Sequence, residues 1–126
     1  FSLGQVYRRA GFNICGKNHD DHVKNTSFLM NRKGEWSLSP AYDLTFSYKP
    51  GGKFTGTHHL SLNNKLDNFV LEDLITFAKK LDISKSKALA VISEVQNVTG
   101  KWMEFAEQAK VPEELAGQVK ENLVRL

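Results

Sequence analysis

The chain has 126 residues, enough for one domain with a real core, and its hydrophobic (40%) and charged (25%) fractions are those of an ordinary globular protein. Its 17 basic and 14 acidic residues give a mild net charge of +3, and the lysines are scattered rather than blocked, so neither a nucleic-acid platform nor a membrane-binding strip is indicated. One cysteine, Cys15, excludes an intrachain disulfide framework and suggests a reducing, cytoplasmic setting. No charged and apolar leader pattern and no run long enough to span a bilayer is present, and the first residue is Phe1. We therefore expect a piece of a larger chain, with residues 1–126 forming one domain.

Leu3, Val6, Tyr7, Ala10 and Ile14 recur at helical spacing and predict a buried helix over residues 2–15, weakened by Gly4 and Gly11 and stopped at Gly16. A polar loop follows over 17–26. Apolar runs at 27–30 and 36–38 flank Asn31-Arg32-Lys33-Gly34, a hairpin signal with Gly34 suited to a positive φ. Residues 46–59, centred on Pro50-Gly51-Gly52, read as a long exposed and mobile loop. His59-Leu60-Ser61-Leu62-Asn63 alternates like a short strand, with Asn63-Asn64 as the next turn.

Beyond it the pattern turns helical. Val70, Leu71, Leu74, Ile75, Ala78 and Leu81 form one stripe. Ser84 caps a second helix expected to run from Ala88 through Val95 to Trp102, Phe105 and Ala106. Pro112, with Glu113 and Glu114 behind it, opens a third toward Leu126. The order helix, loop, hairpin, loop and three helices predicts a helix-dominated α+β domain rather than a doubly wound sheet. Trp36, Phe77, Trp102 and Phe105 are expected in the core, and Lys79, Lys80, Lys85, Lys87, Lys110 and Lys120 on solvated helix faces.

The chemistry concentrates around the hairpin. His19-Asp20-Asp21-His22-Val23-Lys24-Asn25 precedes it and Ser39-Pro40-Ala41-Tyr42-Asp43-Leu44 follows it. A carboxylate with an asparagine five residues later is common in loops, where such residues cap turns. In this chain a second carboxylate stands beyond the hairpin, whose two ends must lie together. Asp20 can then accept a hydroxyl proton, while Asn25 and Asp43 offer hard oxygen ligands for magnesium on a nucleotide. Asp21 is a rival base, but Asp20 holds the five-residue register to Asn25. Asp21 is expected to add negative charge that a metal ion relieves.

The strings Asp-x-His-x-Lys-Asn, Ser-Pro-Ala-Tyr-Asp-Leu and His-Leu-Ser-Leu-Asn resemble the carboxy-terminal region of the HipA family, from about Val6 into the helices after Asn63. These are bacterial serine/threonine kinases that act as toxins of toxin–antitoxin modules. The resemblance implies a mainly helical, kinase-like carboxy-terminal lobe using ATP and Mg²⁺. Asp20 matches the catalytic aspartate. His22, Val23, Lys24 and Asn25 match the nucleotide-lining stretch, with Asn25 on magnesium. Tyr42 and Asp43 match the pair whose aspartate holds the metal. It also implies a protein substrate, an amino-terminal lobe that grips the nucleotide, and a DNA-binding antitoxin subunit. Direct binding of nucleic acid by this chain is not expected.

That amino-terminal lobe, with its phosphate-covering loop and lysine, has no counterpart in these 126 residues, so the chain alone is expected to bind ATP weakly. Gly51-Gly52-Lys53-Phe54-Thr55-Gly56-Thr57 lacks the phosphate-loop spacing. Two other classes compete. His19, Asp20, Asp21, His22, His58 and His59 supply donors for a zinc- or manganese-dependent hydrolase, although none of them shows the helical i, i+4 spacing. A DNA-binding module would need a helix-turn-helix signature that the helices lack. Cys15, at the end of an apolar helix, reads as a buried inert thiol rather than a nucleophile.

Overall fold

A computed structural model describes residues 2–126. Helix α1 (Leu3–Cys15) begins where the Ser2 side chain accepts the Gln5 N–H. A 3-10 turn (Val23–Asn25) leads to strands β1 (Phe28–Met30) and β2 (Trp36–Leu38). Four helices complete the chain: α2 (Leu71–Lys80), α3 (Lys85–Thr99), α4 (Trp102–Gln108) and α5 (Glu113–Asn122). The domain is α+β and mainly helical, with a single antiparallel hairpin among the described residues.

Tyr7 and Ile14 from α1, Leu74 and Ala78 from α2, and Ala88, Val91 and Ile92 from α3 make the buried centre. The spacing that predicted α1 is the face it presents to α3 and α2. Gly11 weakens the helix as a propensity matter, yet it gives Ile92 of α3 room to pack. A Cβ there would stand 2.8 Å from the Ile92 Cδ1, so the missing side chain lets α1 and α3 close on each other. After α5 the chain returns across the core. The Val124 N–H bonds the Cys15 carbonyl at 2.9 Å, and the Leu126 N–H bonds the Gln96 Oε1 at 2.6 Å.

The hairpin pairs Phe28 with Leu38 and Met30 with Trp36, and Gly34 takes φ +79° in its turn. Its apolar side chains do not enter the core: Trp36 is 61% exposed. Phe105 is exposed as well, which corrects the expectation that both aromatics are core residues. Hydrophobicity alone cannot distinguish a core face from a face that two short strands leave uncovered. Trp102, by contrast, is half-buried and donates its Nε1–H to the Ala116 carbonyl at 2.9 Å.

Three further expectations change. The single helix drawn from Ala88 to Ala106 breaks at Gly100, which caps α3 before α4 begins. Residues 59–63 form no strand; a lone bridge pairs Leu62 with Lys65 around Asn63 and Asn64, both at positive φ. The segment 46–59 is not a free loop. The Ser47 N–H bonds the Lys17 carbonyl at 3.0 Å, the His19 N–H bonds the Ser47 carbonyl at 2.9 Å, and His58 is 4% exposed. Among the described residues no helix is long and apolar enough to cross a membrane.

Candidate functional site

The site is built at the end of α1. The Gly16 N–H bonds the Phe12 carbonyl at 2.7 Å, and Lys17 then takes φ +52°, a left-handed turn that sends the chain out of the helix. Asn18 is buried, and its side-chain amide donates to the Asn13 Oδ1 at 2.9 Å, holding the new direction. Two residues later the chain reaches Asp20.

The 3-10 turn reverses the backbone so that Asn25 faces the peptide of Asp20. Its Nδ2 donates to the Asp20 carbonyl at 3.0 Å and to the Asp43 Oδ2 at 2.9 Å. Both partners are acceptors, so the amide orientation is fixed by the network: a flipped Asn25 would set oxygen against two oxygens. The Asn25 Oδ1 receives no hydrogen bond among the described residues. Asp43 sits at φ +53°, a conformation that costs an L-residue about 1 kcal/mol and that aspartate tolerates better than most.

From the other side, the Arg9 Nη2 donates to the Ser39 carbonyl at 2.6 Å, and the Ser39 N–H bonds the Ser27 carbonyl at 2.9 Å. These bonds fasten the base of the hairpin to α1 and so set where Asp43 falls. A second tie crosses the same gap: the Tyr42 hydroxyl donates to the Lys24 carbonyl at 2.7 Å. The Val23 and Lys24 side chains themselves are exposed. Asn25, Tyr42, Asp43 and His22 line a small cavity of about 40 Å³, with Asn13, Asn18 and Arg9 on its inner wall. It has room for a water or an ion, not a nucleotide.

The Asp20 carboxylate does not join that cavity. Its side chain is 42% exposed, and its Oδ1 lies 3.7 Å from the His22 Nε2 and 4.0 Å from the His59 Nε2. The structure therefore joins Asn25 to Asp43 and to the Asp20 backbone, and Tyr42 to Lys24. It leaves the Asp20 carboxylate facing outward between two imidazoles.

Asp21 turns inward. It is 8% exposed, its Oδ2 accepts the His58 Nδ1–H at 2.9 Å, and its Oδ1 accepts the His59 N–H at 2.8 Å. Burial raises its pKa, but the His58 hydrogen bond and charge and the backbone N–H groups outweigh that and hold it below the usual carboxylate range. Its two carboxylate oxygens are engaged by donors within the fold. His19 is buried beside it, its ring 4.1 Å from that of His58 and its Nδ1–H on the Thr55 carbonyl at 3.0 Å. Burial first, then the neighbouring His58 and Lys17, lowers the pKa of His19. The imidazoles that suggested a hydrolase are thus divided between separate contacts. Among the described residues no three His, Cys, Asp or Glu side chains are grouped to hold a metal ion.

Sequence reasoning missed Arg9 and the Asp21–His58 pair. A basic residue on the polar side of a helix, and a histidine inside a glycine-rich loop, carry no periodic signal. Cys15 is buried, and burial pushes its thiol up to about 11, in keeping with an inert side chain.

The class defined by this fold and this pair of loops is a small α+β domain whose polar apparatus is strung between a helix end and a hairpin. Comparison with known families is specific: the profile of the HipA-like C-terminal domain matches residues 2–102. The chain belongs to that family, which is kinase-related and linked in general terms to toxin–antitoxin systems. No curated protein matches it. The matched region ends at the first residue of α4, so α1 to α3 and the whole loop layer lie within it.

Proposed function

We propose that the chain is the carboxy-terminal catalytic lobe of a HipA-like serine/threonine protein kinase. The observation that carries this reading is the Asn25 side chain, which ties the Asp20 peptide and the Asp43 carboxylate together across the hairpin. Nothing in ordinary turn-capping calls for one amide to bridge two loops 18 residues apart.

Asp43 presents a carboxylate, and Asn25 brings its amide oxygen beside it only by turning the amide whose Nδ2 now donates to the Asp43 Oδ2 and the Asp20 carbonyl. Magnesium commonly takes one or two protein oxygens and completes its shell with phosphate and water, so in this reading the ion would replace the Asn25–Asp43 hydrogen bond, held by the Asp43 carboxylate and the turned Asn25 amide oxygen. Once bound with ATP, the ion neutralises charge on the phosphates. Asp20 orients the acceptor hydroxyl and takes its proton as the oxygen attacks the γ-phosphorus and the bond to the β-phosphate oxygen breaks. The exposure of its carboxylate suits a protein-borne serine or threonine. Lys24 lies on the nucleotide side and offsets charge on the transferred group. His22 and Val23 complete that lining, and Tyr42 holds its backbone in place. The 40 Å³ cavity is too small for ATP, so in this reading most of the nucleotide is gripped by an amino-terminal lobe. A DNA-binding antitoxin subunit is the partner such a kinase implies.

The test uses the full-length protein. Asp20→Asn should abolish phosphorylation of the acceptor while leaving ATP binding intact, and Asp43→Ala should also weaken magnesium-dependent ATP binding. Near wild-type phosphotransfer in either variant rules the assignment out. Calorimetry of the 126-residue chain with ATP and magnesium should show weak binding; micromolar affinity would remove the need for a second lobe.

A further inference from the structure

We infer that Asp21 and His58 are positioning residues for Asp20, forming a buried clamp that presses residues 54–60 against the loop carrying the proposed base. The inference rests on the kinase reading for its catalytic consequence, but the clamp has observables of its own.

The geometry is closed on every side. Asp21 uses both carboxylate oxygens, one on the His58 ring and the other on the His59 N–H and, at 3.4 Å, the Leu60 N–H. His58 is held in turn, its own N–H bonding the Leu66 carbonyl at 2.9 Å and its ring packing between His19 and Phe69. A carbonyl or carboxylate partner only accepts, so the protons are assigned: Nδ1–H on His19 and His58, Nε2–H on His59. The His59 Nε2–H bonds the Phe54 carbonyl at 2.6 Å.

Asp20 feels this clamp from two directions. Its carboxyl-side neighbour is Asp21, so anchoring that side chain fixes the peptide plane whose carbonyl Asn25 also holds. Its carboxylate lies 4.0 Å from the His59 ring, and Asp21 fixes the backbone of that ring. With Asn25 on one side and Asp21 on the other, the exposed carboxylate has a supported direction. A mobile surface carboxylate would have to find that direction at each turnover. Asp21 shares the small cavity with Asn25 and Asp43, but its carboxylate oxygens are engaged by His58, His59 and Leu60, so its role is transmitted, not direct.

The experiment compares Asp21→Ala, Asp21→Asn and His58→Ala in the full-length protein, each assayed below its melting temperature. Asp21→Ala should lower kcat by about 10²-fold, the size of loss that follows a misplaced group of about an ångström, with KM for ATP unchanged. Asp21→Asn keeps an acceptor for the His59 and Leu60 N–H groups and should restore most of that loss, which a purely electrostatic role would not allow. His58→Ala removes one arm and should move kcat in the same direction by less; it decides the matter if Asp21→Ala does not fold. A kcat within a few-fold of wild type in the folded alanine variants overturns the inference, as does a rise in KM for ATP that matches the fall in kcat. Carbon-detected NMR of the Asp20 carboxyl gives an answer that does not depend on turnover. Its resonance should shift in both alanine variants, and the His59 and Leu60 amides should lose protection from exchange. If the wild-type protein transfers no phosphate, the kinase reading fails while these spectra still judge the clamp: an unmoved Asp20 resonance ends it.

Discussion

Ile92 and Asp21 are both nearly sealed from solvent, at 2% and 8% exposure, yet they are held by unlike forces. Ile92 lies among Tyr7, Ile14, Leu74 and Ala88, where apolar burial is non-directional and any side chain of the right volume serves. Asp21 lies in the loop layer over the end of α1, where its carboxylate is held by hydrogen bonds with fixed donors and directions. The helical half tolerates substitution by volume; the loop half tolerates it only by donor and acceptor. The residues proposed to do chemistry lie in the second half.

The comparison is broken most severely by Asp21→Ala. Leaving His58 and two backbone N–H groups without their carboxylate should destabilise the fold by roughly 3–5 kcal/mol, as breaking one side of a buried pair does. Its sequence neighbour gives the contrast, because Asp20→Asn should stay within about 0.5 kcal/mol of wild type in the same denaturant titration. Equal losses in the two would show that the layer does not distinguish buried from exposed carboxylates.

Gly11→Ala tests the helical half. Its methyl would meet Ile92 at 2.8 Å, and overpacking of this kind typically costs about 1–3 kcal/mol. Adding Ile92→Val removes the opposing methyl and should recover part of that loss, a volume rescue with no counterpart at Asp21.

Acid should weaken the directed contacts of both halves, and more gently. Burial raises the Asp73 carboxyl, but hydrogen bonds from Lys65, the Val70 N–H and Asn63 bring it down to about 2. A depressed carboxyl stabilises the fold fully above its unfolded value of about 3.9, and the contribution fades as pH falls through the folded value. Thermal midpoints should therefore drop between about pH 4 and pH 2, and the drop should shrink in Asp73→Asn. Asp21, also depressed, adds to the same slope.

The smallest effect carries the opposite sign. Among the described residues the buried Tyr7 hydroxyl has no hydrogen-bond partner, so Tyr7→Phe should stabilise by up to about 1 kcal/mol. A marked loss of stability would reveal a polar partner for Tyr7 inside the helical half.

What the sequence made legible follows the same division. Periodicity revealed α1, α2 and the Ser84 cap, because an apolar face is written at fixed intervals. The hairpin was legible from its turn, and the meeting of Asn25 with Asp43 from the hairpin that joins them. The break at Gly100 was not, since a helix continued through that glycine would place Trp102 and Phe105 on a plausible stripe. Nor was the burial of His58, whose neighbours Gly56 and Thr57 announce a surface loop. The polar clamp depends on residues nearly forty positions apart, and nothing local in either segment records the other.

The hairpin closes at its root. Asn25 reaches Asp43 and Tyr42 reaches the Lys24 carbonyl, while the turn around Gly34 stands out in solvent, where a Cβ at Gly34 would meet nothing within 4 Å. Root and tip are therefore separable design elements. The tip can lengthen, shorten or change charge without disturbing the chemistry below it, which makes it the natural place for relatives to diverge.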